Sequence, residues 1–162
     1  MRWLARWWPA LVWAVVISAF STNLFTSERT GRILIPIFHW LLPRASQETL
    51  FLIHHLIRKS AHFIEYFILS LLILRGIRAG RSGIRLGWAL AAIVLVSGFA
   101  ALDEFHQSFV PGRTPAVSDA LLDTVGGIAA QAIAGLVLLW GRVRERQRER
   151  ALRPTEAAGR SD

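Results

Sequence analysis

The hydrophobic and polar positions of this chain fall into long blocks, not into the short alternation of a water-soluble sheet or the one-sided stripe of a water-soluble helix. Apolar runs at residues 8–20, 67–74, 86–102 and 120–140 reach membrane-spanning length once their flanks are included, a span needing about 20 residues. The pattern predicts four transmembrane helices, roughly at 8–26, 56–75, 86–108 and 117–140. Between the first two, Ile33, Leu34, Ile37, Phe38, Leu41 and Leu42 form an apolar stripe at helical spacing, punctuated by Pro36 and Pro43. About eleven residues cannot span a bilayer, so the stripe predicts a short external interfacial helix. Ser46 is placed to cap the next helix, with Glu48 in its first turn. No breaker follows until Gly76. A helix of that length runs about 45 Å, more than the hydrocarbon core, so its start must project, bend or lie along the outer surface. The expected class is therefore all-α: a polytopic membrane protein of four transmembrane helices plus one interfacial helix.

Composition supports this picture. The chain has 162 residues, the size of one domain, and is 53% hydrophobic, with a mean hydropathy of +0.40; that is too apolar for a soluble domain of this length. It has no cysteine, which excludes disulfides and thiolate metal sites. The net charge of +8 could suggest nucleic acid, but its placement argues for topology. Arg2 and Arg6 precede the first span, Arg75, Arg78, Arg81 and Arg85 follow the second without an acid among them, and Arg142 to Arg150 follow the fourth. The positive-inside rule then puts both termini in the cytoplasm, and the partner expected for the basic charge is anionic membrane lipid, not nucleic acid. Residues 1–141 form the transmembrane domain, and 142–162 a basic cytoplasmic tail that is partly disordered. A signal peptide is the competing reading of the first segment; the apolar run, however, continues without a small-x-small cleavage site.

Ionisable groups adjoin these apolar blocks, where each costs roughly 2.5–3.5 kcal/mol and so calls for a partner and a role. Counting from the cytoplasmic arginines at 1.5 Å per residue puts Glu65 about 15 Å deep, His62 about 20 Å and Lys59 about 24 Å. Asp103, Asp123 and Asn23 fall about 27, 28 and 25 Å from theirs. Four helices thus bring polar groups to one outer layer. His62 with Glu65, Asp103 with His106 and Gln107, and Asp119 with Asp123 each share a helix face. Pro111-Gly112 predicts a turn that carries Arg113 over the mouth of this layer, where it could pair with Asp103, Glu104 or Asp119 or grip a phosphate or carboxylate.

Three uses of the cluster compete. As a catalytic site, His62, Glu65, Asp103, Glu104 and His106 are the acid/base candidates, and Lys59, Gln107, Arg113, Asp119, Asp123 and Asn23 would surround and bind substrate. No nucleophile is evident, because Ser60 is merely adjacent to Lys59. As a metal site, His62, Glu65, His106 and Asp103 or Glu104 would supply ligands from two helices, but no dedicated motif is present, so neither metal nor other cofactor is expected. As a packing device, Lys59 and Arg113 would neutralise Asp103 and Asp123. His54 and His55 are expected to be solvated at the outer interface, and Gly126, Gly127 and Gly135 to serve close helix packing.

The strings Arg58-Lys59-Ser60-Ala61-His62-Phe63-Ile64-Glu65-Tyr66-Phe67, Asp103-Glu104-Phe105-His106-Gln107-Ser108-Phe109-Val110-Pro111-Gly112-Arg113, and Ser118-Asp119 through Asp123-Thr124-Val125-Gly126 resemble the VanZ-like family of small bacterial membrane proteins. Phe20-Ser21-Thr22-Asn23 is a weaker fourth match. Such proteins often carry Asn where this chain has Asp123, and the basic tail lies outside the shared pattern. The resemblance implies a cell-envelope protein of the bacterial cytoplasmic membrane. The family's namesake is associated with teicoplanin resistance, whereas most relatives occur outside resistance clusters. Together, layer and resemblance lead to an outward site that binds or modifies an anionic lipid-linked or cell-wall component. The alternatives are a proton- or ion-coupled carrier, for which Glu65 is the best evidence, and a non-catalytic partner of another envelope protein.

Overall fold

The computed structural model describes residues 2–22, 27–83, 85–110 and 116–158, and every regular element among them is a helix. The order is α1 (Arg2–Phe20), α2 (Ser27–Leu41), α3 (Gln47–Arg78), α4 (Leu86–Gln107) and α5 (Val117–Ala158). Three stretches, Gln47–Arg78, Leu86–Gln107 and Val117–Glu149, are long and apolar enough to cross a membrane, and Leu4–Phe20 is a shorter apolar helix.

The side chains are distributed as for a bundle solvated by lipid. Val94, Leu102, Leu136 and Val137 are exposed at 68%, 66%, 65% and 59%, an outward apolar surface that water would not tolerate. The buried core is small: Ile17, Tyr66, Leu69, Ile73, Leu74, Ala92, Val96 and Ala100. Helix α3 is its centre and packs on α1, α2, α4 and α5.

The start of α3 follows its capping chemistry. Ser46 Oγ accepts the Thr49 N–H at 3.2 Å, and Glu48 puts a negative charge in the first turn. At 32 residues the helix runs about 48 Å at 1.5 Å per residue. It does not stop at Gly76. A side chain there would meet the Trp7 ring at 3.0 Å, so Gly76 is the surface on which α1 lies, and the break comes at Ala79 and Gly80, both at positive φ. Helix α2 begins earlier than its apolar stripe and carries Pro36 inside it, while Ile33, Ile37 and Trp40 stay exposed. Helix α5 continues well past residue 140.

The bundle has two chemically distinct ends. Arg75 Nη1 donates to the Arg6 carbonyl at 3.4 Å, and Ser21 meets Asp103 at the opposite end, so α1 runs antiparallel to α3. Midway, Trp13 Nε1 donates to the Glu65 carbonyl at 2.9 Å. The arginines of the α3–α4 connection therefore lie at the end opposite the polar layer.

Candidate functional site

The polar end begins where α1 stops. Ser21, 2% exposed, donates to Asp103 Oδ2 at 2.7 Å, and Gln107 Nε2 donates to the same oxygen at 2.9 Å. Gln107 Nε2 also lies 3.3 Å from Ser21 Oγ, closing a triangle of three buried groups. Asp103 and Gln107 are one turn apart on α4, the spacing that lets both reach a single partner. Two charge-assisted hydrogen bonds on one oxygen compensate burial of that carboxylate.

Helices α3 and α5 are joined by two rungs about one turn apart, from 59 and 62 on one helix and 119 and 123 on the other. Lys59 and Asp119 form the outer ion pair, about a quarter exposed on each side, so its net contribution is about 0–1 kcal/mol. The inner rung sets His62 Nδ1 3.6 Å from Asp123 Oδ1, too far for a hydrogen bond. Asp123 is 1% exposed. Its two oxygens, His62 Nδ1 and the Tyr66 hydroxyl are buried without hydrogen-bond partners. His62 and Tyr66 are one turn apart on α3, and the Tyr66 ring packs on Phe99 of α4, so these unsatisfied atoms lie where α3 meets α4 and α5. The expectation that Lys59 neutralises Asp103 or Asp123 is corrected: Lys59 stands one turn outward of His62 and meets Asp119, while Asp103 is held by neutral donors from α1 and α4.

Glu104 has a different task. One carboxylate oxygen accepts the Ala116 N–H at 2.9 Å, immediately before α5. Negative charge there satisfies an orphan donor and opposes the helix dipole.

Two cavities divide the candidate residues. The larger, ≈ 250 Å³, is lined by Phe20, Ser21, Thr30, Arg58, Ala61, His62 and Glu65. The smaller, ≈ 180 Å³, is lined by Ser18, Phe99, Leu102, Asp103 and His106. His62 with Glu65 and Asp103 with His106 thus share cavities as their spacing predicts, and among the described residues the two pairs line different cavities. Ser21 connects them, lining the larger cavity while bonded to Asp103. Asn23 and Arg113 lie outside the described residues. Among the described residues, no three His, Asp or Glu side chains are grouped so as to hold a metal ion.

The cavity brings in residues that sequence reasoning passed over. Arg58 lies four residues before His62 and seven before Glu65, on one face of α3, and that spacing was the available signal. Its Nη1 donates to Thr30 Oγ1 at 3.4 Å, and the same hydroxyl is 3.2 Å from His54 Nε2. His54 is 4% exposed, which corrects the expectation of a solvated side chain: α2 folds back over it, so closely that a Cβ at Gly31 would touch the imidazole. His55, on the other face, is exposed as expected.

No curated protein and no solved structure matches the chain. The family model described as VanZ/LLP1 matches residues 7–139, a stretch that includes α2, α3 and α4 in full and every polar residue described above. The chain belongs to the VanZ/LLP1 family.

Proposed function

We propose that this protein crosses the bacterial cytoplasmic membrane four times, with both termini in the cytoplasm and the polar end outward, and that its larger cavity binds or modifies an anionic lipid-linked or cell-wall component. The arginine distribution supports the orientation. Reporter fusions after Ile77 and after Arg150 are expected to read cytoplasmic and one after Arg44 external; an external Arg150 fusion would overturn the topology.

The observation that carries the reading is the meeting of Arg58, His62 and Glu65 on one cavity beside the buried Asp123. A guanidinium offers phosphate or carboxylate a planar fork of donors. With Nδ1 of His62 facing Asp123 at 3.6 Å, Nε2 is the ring nitrogen left to address the cavity as a proton-exchanging group. Glu65 adds a second proton-exchanging group three residues away. Carriage across the bilayer ranks lower, because Leu69, Ile73, Leu74, Ala92 and Val96 fill the core towards the arginine end. Gln131, the polar exception there, is held by Ser70, donating to its hydroxyl at 2.7 Å and its carbonyl at 3.1 Å.

Profiles of lipid-linked and cell-wall precursors from a deletion strain and its parent test the reading, with teicoplanin susceptibility as a second readout. The expected result is a changed level of at least one anionic envelope component. Identical profiles and susceptibility would contradict it.

A further inference from the structure

We propose that the arginine end carries a phosphate-binding site of its own. A cleft of ≈ 240 Å³ there is lined by Arg75, Arg78, Gly80 and Arg81, and it fits the phosphate group of an anionic molecule at the membrane surface. No acidic residue occurs between Arg75 and Arg85, so the guanidiniums repel one another without a counter-charge from their own segment.

Local contacts fix them in place. Arg75 is tied to the α1 backbone through the Arg6 carbonyl. Arg78 spans the turn, its Nε and Nη2 donating to the Arg81 carbonyl at 3.3 and 3.1 Å. The turn between them reverses through positive φ at Ala79 and Gly80 (52° and 82°). The guanidiniums of Arg81 and Arg85 lie over the Trp88 ring, 5.3 and 5.0 Å from its centroid. The Arg142 guanidinium of α5 reaches the same connection, occupying the space that a side chain at Gly83 would need. A guanidinium has five N–H donors, so Arg78 keeps three beyond the two it spends on the turn. Side chains already held in position lose little further freedom on gripping a phosphate. Arg146 and Arg148 on the α5 extension differ, being exposed and interleaved with Glu145 and Glu149.

The test uses the full chain in detergent, offered phosphatidylglycerol and phosphatidylcholine in equal amounts, with retained lipid counted by native mass spectrometry. Wild type is expected to retain phosphatidylglycerol preferentially. At about 1 kcal/mol per arginine, Arg78→Gln with Arg81→Gln should weaken retention about thirtyfold, and the exposed Arg81→Gln alone about fivefold. Arg146→Gln with Arg148→Gln removes the same charge from the tail and should change it less than about threefold. Inorganic pyrophosphate is the soluble probe: displacement of the lipid assigns the site to phosphate groups from either source, and no displacement assigns it to the lipid headgroup. Equal loss in the tail variant, or unchanged retention in Arg81→Gln, would overturn the site in favour of diffuse attraction.

Discussion

Gly126→Leu is expected to abolish accumulation of the protein in the membrane, the largest effect of any single glycine substitution among the described residues. A Cβ at this position would stand 2.5 Å from the Phe63 carbonyl oxygen and 3.4 Å from Phe63 Cα. Both are backbone atoms of α3, so relief requires α3 and α5 to separate. Smaller overpacking costs about 1–3 kcal/mol, and a leucine goes well beyond a methyl. The helices would part where the two rungs and the Ser70–Gln131 bonds join them, so polar groups would lose partners as well. Gly127→Ala should be milder but still destabilising, because its close neighbour is the Val96 side chain, not backbone, and a buried valine on a helix has few rotamers to turn to. Gly135→Leu is the control: nothing lies within 4 Å of a Cβ there, so wild-type levels are expected. Immunoblots of membrane fractions, with unfolding of purified protein in mixed micelles, read all three.

His62→Leu is expected to destabilise the folded bundle by about 3–5 kcal/mol, since it removes the nearest group of opposite character from a carboxylate that is 1% exposed. The companion variant, His62→Leu with Asp123→Leu, should recover most of that loss, because replacing both members of a buried pair is often neutral or stabilising. Unfolding free energies of the two singles and the double form a cycle with a large coupling. Independent, additive effects would mean that the inner rung carries no interaction. The recovered double variant should still be inactive, which separates the pair's packing role from its chemical one.

Much of the architecture was legible because it follows from local chemistry. The Ser46 cap, the unbroken run after it and the arginine clusters are one-dimensional signals, and α3 begins where they require. Gly126 and Gly127 were read as close-packing positions and occupy the α3–α5 contact, whereas Gly135 has the same composition but open space beside it. That difference depends on the angular position of each glycine relative to a neighbour, which sequence spacing alone does not reveal. Four polar clusters could be placed at one level by counting rise per residue. Counting gives depth but not azimuth, so it could not tell apart the two cavities that the described residues line. Ser21 and Arg58 stand in the strings that carry the resemblance but received no site role, for a related reason: a serine or an arginine near a span end reads as ordinary, and its meaning arises from Asp103 on α4 or Thr30 on α2. His54 became buried only because a separate helix folds over it.

The central claim is that the cavity beside Asp123 acts on an envelope component instead of merely fixing the helices. Its most direct test is the precursor profile of the deletion strain complemented with Glu65→Gln or Arg58→Lys, each at wild-type membrane levels. Gln preserves the shape of Glu65 without its charge, and Lys keeps the charge of Arg58 without its fork. Both variants are expected to reproduce the deletion profile. Restoration of the parental profile by both would contradict the claim and leave the polar end as architecture.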